Sequence, residues 1–412
     1  MQASVRLDHQ LLALESEHDV HAMLELTVPA PVESAARPPL RLALVLDRSG
    51  SMEGRKLEIA KRCAAWLVAR LRSNDELALV SFDDRVRLLA PLQPVEEGAL
   101  SGALSSLRPG GSTNLSGGWL RGLEQLRPAA ADGPRKILLL TDGLANQGIT
   151  DPAALVSLAH GAGAEGVGTT TIGFGSDFDE ELLTAMADAG GGNAHYAATP
   201  DAAPAIFADE LEGLTNLVAQ NVTVEIRPLA GVEFLGVLNE YPSVAVPGGI
   251  QLELGDAYGG ERRRIVFALH LPRLATLGEI RVADLVLRYV SVGEDVRLHE
   301  RTIPIAANLG SAAEAAGAKP DLEVTEEVLI LRAAKARDEA IRLADAGEHE
   351  AAQDLFERTA AELRKHGGPA LAREAEALAA EAPLAAPAQY TPANRKHLHY
   401  ASNQRRRGRR RP

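Results

Sequence analysis

The chain has 412 residues, of which 46% are hydrophobic and 24% are charged, and its formal net charge is −13. This length predicts two or three globular domains, and the composition excludes a disordered chain. The single cysteine, Cys63, excludes an intrachain disulfide framework and a cysteine-rich metal site, while the acidic charge argues against a nucleic-acid groove in the body of the protein.

The N-terminal residues, MQASVRLDHQ, show no targeting signal. They lack a basic start followed by an apolar stretch, which is the pattern of a secretory signal peptide. No apolar run approaches the roughly 18 residues that are needed to span a bilayer. We therefore expect a cytoplasmic protein, in a reducing compartment, without a transmembrane segment.

Residues 1–36 are predicted to form strands and a Pro- and Ala-rich linker. From Val20 to Val28 every second residue is apolar, a period of two that predicts a strand with one buried face. That face needs an apolar partner elsewhere in the chain. Residues 220–308 show the same period, so we expect the N-terminal strands to pair with that region.

Residues 37–219 alternate between short apolar runs and helical stretches. The first run, Leu42–Leu46, is continuously apolar, as expected of a strand that is covered on both faces. Cys63 lies in the helix that follows, and we interpret it as a small buried hydrophobic side chain. Strands that alternate with helices predict an α/β fold, with a mostly parallel, Rossmann-like sheet and helices on both faces.

Residues 220–308 return to the period of two, with turn signals such as PGG at short intervals. This pattern predicts an antiparallel β-sandwich. The α/β unit is then either inserted in the sandwich, if the N-terminal strands belong to it, or followed by it.

Residues 320–382 are predicted to form a C-terminal helical hairpin or small bundle, because apolar side chains recur there at helical spacing around a tight break at Ala346-Gly347. Residues 383–412 are rich in Pro, Ala and Arg, and we expect them to be disordered. Six arginines between Arg405 and Arg411 suit binding to an acidic partner or an anionic surface, or folding back on the acidic body. Few aromatic residues accompany them, so sequence-specific nucleic-acid recognition is not expected.

Three loops of the α/β region carry hard oxygen donors. Asp47, Ser49 and Ser51 follow the first predicted strand, Thr113 lies in a glycine-rich loop before a helix, and Asp142 directly follows another strand. Ligands of open α/β sheets bind outside the carboxyl ends of the strands. We therefore expect these five side chains to form one metal site.

The chemistry of these donors favours Mg²⁺, or Mn²⁺ and Ca²⁺, over zinc and copper, because no thiol or imidazole is among them. Mg²⁺ takes about six oxygen ligands. Three hydroxyls and at most two carboxylates do not fill that shell. The predicted ion therefore keeps a position for water or for an Asp or Glu of a partner protein.

The DxSxS motif with the later Thr and Asp resembles the metal-ion-dependent adhesion site (MIDAS) of von Willebrand factor type A domains. The resemblance covers about residues 40–219 and includes all five positions. The sequence DRSGSM, together with GGNAHYA, looks most like that of bacterial members related to inter-alpha-trypsin-inhibitor heavy chains and calcium-activated-channel-like proteins. The resemblance implies a Rossmann-like domain, a Mg²⁺ at the top of the sheet and protein binding. It also implies that Ser49, Ser51 and sometimes Thr113 ligate the ion directly, while the carboxylates often act through water.

Two other acidic loops are weaker candidates for a second, regulatory cation. Asp83 and Asp84 follow one predicted strand, and Asp177, Asp179 and Glu180 follow another. Loops after strands are commonly acidic and solvated, and Asp179 is well placed to cap the helix that starts at Glu180. We favour these structural roles.

An enzymatic function is not predicted. His195 has no Asp or Ser at a hydrolase-like spacing, and the sequence contains neither G-x-S-x-G nor a P-loop. We predict a non-enzymatic, divalent-metal-dependent protein-binding module whose ion captures a carboxylate of a partner. The alternative is an accessory or adaptor subunit that docks on an AAA+ ATPase of the MoxR or chelatase type.

Overall fold

The computed structural model describes residues 1–30, 37–95, 98, 100–129, 133–292 and 297–410. The β-strands in chain order are β1 (Gln2–Leu7), β2 (Leu12–Ala13), β3 (His18–Thr27), β4 (Arg41–Asp47), β5 (Glu76–Phe82), β6 (Val86–Pro94), β7 (Arg135–Thr141), β8 (Val167–Phe174), β9 (Gly191–Ala197), β10 (Leu217–Pro228), β11 (Glu233–Val237), β12 (Ser243–Val246), β13 (Gly249–Tyr258), β14 (Arg262–Leu271), β15 (Gly278–Ser291), β16 (Leu298–Gly310) and β17 (Arg409–Arg410). The α-helices are α1 (Arg55–Val68), α2 (Ser101–Ser106), α3 (Leu115–Leu126), α4 (Pro152–Ala164), α5 (Glu180–Ala189), α6 (Ala203–Thr215), α7 (Ala312–Gly317), α8 (Leu322–Asp345), α9 (His349–His366), α10 (Pro369–Glu381) and α11 (Pro392–Arg406).

The α/β unit contains a six-stranded sheet in the order β6-β5-β4-β7-β8-β9. Its pairings are parallel except for the antiparallel edge strand β6. Successive residues of β4 are buried on opposite faces, since Leu44 packs in a cluster with α1, α2 and α6, and Val45 in a cluster with α3, α4 and α5. The predicted α/β fold is confirmed, and the loops after β4, β5, β7 and β8 lie at one edge of the sheet.

Two further sheets pack over one shared hydrophobic cluster. One has the order β1-β3-β14-β11, with β17 also paired to β14, and the other has the order β12-β13-β10-β15-β16-β2. Their pairings are antiparallel apart from the short parallel pairing of β2 with β16. The N-terminal strand β3 pairs along its length with β14, so that Leu24 lies opposite Ile265. The α/β unit therefore lies, in the chain, between strands that share one sheet.

The C-terminal helices form a small bundle against these sheets. Apolar residues of α8, α9, α10 and α11 share one cluster, and α8 packs Val324 and Leu331 on Met23 and Val266 of β3 and β14. Within the bundle, the fully buried Arg337 of α8 forms ion pairs with two carboxylates of α10. No helix of the described part of the chain is both long and apolar enough to cross a membrane.

The prediction of a disordered segment over residues 383–412 is wrong for the described part of it. Helix α11 begins with Thr391, whose hydroxyl accepts a hydrogen bond from the Asn394 backbone N–H, and with Pro392 in its first turn. Leu398 is buried in the bundle, and Tyr400 is buried in the α/β core. The helix is held by tertiary packing, which the composition of the segment does not reveal.

We name residues 392–410 the C-terminal clasp, because they contact all three parts of the molecule. Arg395 pairs with Glu180 and Glu181 of α5 and with Asp345 of α8. Beyond α11, the carbonyl of Gly408 accepts a hydrogen bond from a β14 backbone N–H. Of the alternatives left open for the arginine-rich tail, the structure favours folding back on the acidic body.

Acidification should weaken the clasp. Although burial opposes it, the hydrogen bond from Lys396 holds the pKa of Glu180 below its ordinary value, and that from Arg395 does the same for the pKa of Asp345. A carboxylate with a depressed folded-state pKa contributes stability above its unfolded pKa and loses it as the pH falls through the folded pKa. The stability difference between wild type and Glu180→Gln should therefore shrink between about pH 5 and pH 3, as measured by thermal unfolding. The exposed control Glu376→Gln should show no such trend, and a constant difference for Glu180→Gln would contradict the expectation.

Candidate metal centre

The loop after β4 supplies the first three candidate ligands. Asp47 is fully buried at the end of the strand. Its Oδ1 accepts a hydrogen bond from the Ser49 backbone N–H at 2.7 Å, and its Oδ2 accepts one from the Thr141 hydroxyl at 2.6 Å. The carboxylate is therefore fixed in orientation by two strands, β4 and β7. Ser49 is buried, whereas Ser51 is exposed at the edge of the sheet.

The five predicted side chains converge on one place. The hydroxyl oxygens of Ser49 and Ser51 lie 3.1 Å apart, and the Ser51 hydroxyl donates to Asp142 Oδ1 at 2.7 Å. A methyl group built on Gly143 would lie 2.8 Å from Thr113 Oγ1 and 3.5 Å from Ser51 Oγ, so the threonine hydroxyl faces the same space. Together with the hydrogen bond between Asp47 and Ser49, these contacts link three separate loops.

Backbone hydrogen bonds hold the loops in register. The Gly110 N–H donates to the Arg48 carbonyl at 2.7 Å, and the Gly50 N–H donates to the Gly111 carbonyl at 2.9 Å. The Thr113 N–H donates to the side-chain oxygen of Asn146 at 2.8 Å. The hydroxyls are thus positioned by the protein itself, which lowers the ordering cost of binding a ligand there.

The electrostatics of the site favour a cation. Burial raises the pKa of Asp47 to about 6, and the nearby charge of Asp142 adds to this rise, while hydrogen bonds from Thr141 and Ser49 oppose it. Two acidic side chains are therefore held close together in a buried setting. The ammonium group of Lys56 on α1 contacts Asp142 Oδ2 and supplies one compensating charge.

The donor set fits a hard divalent cation better than a soft one. Among the described residues, no group of three or more His, Cys, Asp and Glu side chains is placed to hold a metal ion. An ion at this site would therefore depend on the hydroxyls of Ser49, Ser51 and Thr113 together with the two carboxylates. Oxygen-only donors of this kind suit Mg²⁺, Mn²⁺ or Ca²⁺.

The weaker acidic candidates have structural roles. Asp83 forms an ion pair with Arg48 at 2.6 Å, and Asp179 accepts a hydrogen bond from the Leu182 N–H at the start of α5. Glu180 pairs with the clasp residue Lys396. These contacts agree with the structural interpretation of the two acidic loops rather than with a second cation site.

His195 belongs to a buried polar cluster that is separate from the five candidate ligands. Its Nε2 lies 3.1 Å from Glu210 Oε2 on α6, and Glu210 Oε1 accepts a hydrogen bond from the Thr170 hydroxyl at 2.7 Å. Although burial opposes it, the hydrogen bond and charge of His195 and the charge of Lys136 hold the pKa of Glu210 below its usual range. The histidine therefore helps to anchor α6 on the sheet.

Cys63 is buried in the apolar cluster between α1 and the sheet. Burial raises the pKa of its thiol to about 11, which leaves the thiol protonated at neutral pH. This environment agrees with a packing role for the side chain.

Sequence reasoning missed the residues that support the ligands. Lys56 is the second residue of α1 and Thr141 ends β7, and neither is part of the spaced motif. Asn146 fixes the loop of Thr113 from a different loop. For Thr141 the signal was available, since it directly precedes Asp142, but nothing local in the sequence points to Lys56 or Asn146.

Comparisons with known proteins agree with this fold. The sequence model of the von Willebrand factor type A domain matches residues 42–209. Protein sll0103 of Synechocystis sp. is 26% identical over 373 residues, which cover 86% of this chain and 87% of that protein. Inter-alpha-trypsin inhibitor heavy chain H1 of Mesocricetus auratus is 32% identical over 155 residues, which cover 35% of this chain and 17% of that protein.

A solved structure extends the likeness in fold to nearly the whole chain. The von Willebrand factor type A protein from Catenulispora acidiphila superposes with a TM-score of 0.75 at 18% identity, covering 97% of this chain and 96% of the other. The family match and the fold agree for the α/β unit. Residues 42–209 therefore form a von Willebrand factor type A domain.

Proposed function

We propose that this chain is a non-enzymatic protein-binding module that uses a divalent cation, Mg²⁺ or else Mn²⁺ or Ca²⁺, to capture a carboxylate of a partner protein. Ser49, Ser51 and Thr113 would hold the ion through their hydroxyls. Asp47 and Asp142 would hold its water ligands and balance part of its charge. The observation that carries the proposal is the convergence of these hydroxyls and carboxylates at a sheet edge where Ser51 is exposed.

The bound cation would supply a Lewis-acidic centre to which a carboxylate oxygen of another molecule coordinates. The protein's own part is to keep the donors in place and to leave one side open. Ser49 is buried and points its hydroxyl toward that of Ser51. The open side is the exposed one, beyond Ser51, and it is there that we expect the partner.

Binding rather than chemistry is favoured by how the two carboxylates are used. Both oxygens of Asp47 accept hydrogen bonds from Ser49 and Thr141. Both oxygens of Asp142 are engaged, by the Ser51 hydroxyl and by Lys56. Carboxylates that are held in this way serve to orient neighbours, whereas a general base needs a free oxygen within reach of its substrate.

The rim of the site offers apolar surface for a protein partner. Among the large apolar side chains that are exposed in the described residues, those of the α/β domain are Leu144 and Ile149. Both follow Asp142 in the same loop, and Leu144 is 56% exposed. A partner segment that places an acidic side chain on the ion can therefore cover apolar surface beside it, as protein interfaces commonly do.

Chelator-dependent capture tests the proposal. The tagged chain should retain a partner in Mg²⁺ and release it in EDTA, because the ion bridges the two proteins. Asp47→Asn should abolish retention, whereas Asp354→Asn, an exposed control on α9, should leave it unchanged. Thermal unfolding of both variants checks that each is folded. Mass spectrometry of the released protein identifies the partner, and an AAA+ ATPase among the released proteins would assign the accessory-subunit role.

Partner retention that persists in EDTA, or in a folded Asp47→Asn variant, would contradict metal-dependent capture. Addition of sodium acetate at high concentration provides a further check. A carboxylate that competes for the ion should reduce retention increasingly as its concentration rises, whereas acetamide, which has no carboxylate, should not.

A further inference from the structure

Lys56 is a charged group inside the candidate site that the proposed function does not use. It is the second residue of α1, and its Nζ contacts Asp142 Oδ2. The same Nζ lies 3.9 Å from Asp177 Oδ2, in the loop after β8. Its side chain is 25% exposed, while that of Asp177 is 68% exposed. The lysine thus lies between one buried and one exposed carboxylate.

The loop after β8 leaves room for this side chain. Gly175 adopts a positive φ of 68°, and a methyl group built there would lie 3.5 Å from Lys56 Cε. The lysine stem therefore runs past a position where no side chain intervenes. The ammonium group therefore reaches the space between the two carboxylates without a clash with this loop.

The net charge of the site determines how much charge a bound ion would leave uncompensated. Asp47 and Asp142 contribute two negative charges, and Lys56 contributes one positive charge. The adjacent Asp83 is balanced by its ion pair with Arg48. A divalent ion in this site would therefore carry one positive charge in excess, which a partner's carboxylate would neutralise. Without the lysine, the ion and the two aspartates would already be neutral.

We propose that Lys56 is a positioning residue that couples the two binding events: it weakens the binding of the ion alone and strengthens the binding of ion and carboxylate together. Asp177 is exposed, so solvent screens its charge and it offsets little of the charge of Lys56. This inference rests on the proposed function and specifies its regulation. It makes the site respond to an acidic partner rather than hold a permanent ion.

Calorimetric titration with MgCl₂ tests the coupling, with and without saturating sodium acetate as the carboxylate probe. Sodium chloride at the same ionic strength is the control for screening. In the wild type, acetate should raise the Mg²⁺ affinity by at least about fivefold, within the range of ordinary coupling between sites. Lys56→Met should bind Mg²⁺ about tenfold more tightly without acetate and should lose most of the acetate effect.

Two further variants separate this role from a structural one. Lys56→Arg keeps the charge and should restore the acetate effect. Lys61→Met removes a charge from the same helix, where Lys61 pairs with Glu58, and should behave as the wild type. Equal Mg²⁺ affinities and equal acetate effects in wild type and Lys56→Met would overturn the inference and leave the proposed function standing. Absence of Mg²⁺ binding in all of these variants, each shown to be folded, would overturn both.

Discussion

Replacing Gly143 by alanine is expected to abolish Mg²⁺ binding, although glycine has no side chain that coordinates an ion. The added methyl group would lie 2.8 Å from Thr113 Oγ1, closer than two such atoms approach without displacement. Thr113 is buried and short, and its N–H is held by Asn146. Its hydroxyl therefore has to turn away. Binding sites tolerate displacements of about 0.5 Å, so we expect a loss of affinity of at least about a hundredfold in calorimetric titration.

Gly161→Ala is the matched control for this substitution. Gly161 lies within α4, and a methyl group there meets no atom within 4 Å. The change should raise stability by about 0.5 to 1 kcal/mol, since alanine is the better helix former, and should leave Mg²⁺ binding unchanged. A folded Gly143→Ala variant that binds Mg²⁺ like the wild type would show that the ion, if bound, does not use the threonine hydroxyl.

Tyr400→Ala is expected to lower the free energy of unfolding by about 3 to 5 kcal/mol, the usual cost of truncating a buried aromatic side chain. Tyr400 belongs to the C-terminal clasp but is buried in the α/β core. Its ring stacks on that of Tyr196 with 5.5 Å between centroids, and Tyr196 in turn contacts Phe178. Loss of the ring leaves a cavity between α11, β9 and the loop before α5.

Urea unfolding measures this effect, with two variants for comparison. Tyr400→Phe keeps the ring and should lose much less stability than the alanine variant. His397→Ala, on the exposed side of the same helix, should stay within about 0.5 kcal/mol of the wild type. A loss below about 1 kcal/mol for Tyr400→Ala would mean that the clasp does not pack on the α/β domain in solution.

The α/β fold and the placing of the candidate ligands could be predicted from the sequence because both depend on local patterns. A run such as Leu42–Leu46 is apolar throughout because the strand is covered on both faces. Asp47 and Asp142 then follow buried parallel strands, whose carboxyl ends lie at the same edge. Thr113 was harder to place, since its position depends on hydrogen bonds between loops rather than on a strand end.

The clasp could not be predicted because its contacts are remote in the sequence. Arg395 and Lys396 meet Glu180 across 215 and 216 residues. The sequence of the tail, taken alone, has many positive charges, several Pro and Ala residues and little apolar periodicity. Disorder is then the natural expectation, because the carboxylates that neutralise the arginines lie in distant parts of the sequence.

The role of Lys56 could not be predicted for the same reason, although its partner Asp142 is less remote in the sequence. Its place as the second residue of a helix suggests an exposed, solvated side chain. Only the folding of β7 beside β4 brings Asp142 within reach of its ammonium group. Residues that balance the charge of a site are therefore harder to recognise in a sequence than the ligands themselves.

The α/β domain is attached to the rest of the molecule at several places that are far apart in the sequence. Helix α6 continues directly into β10, Lys136 of β7 reaches Asp256 and Tyr258 of β13, and Arg407 of the clasp donates to the carbonyl of Gly192. A body that is fixed at several separate places cannot turn freely about any one of them. A protein that docks at the top of the sheet is consequently held at a set angle to the helical bundle. The α/β domain and the bundle then act as one rigid unit, without a hinge between them.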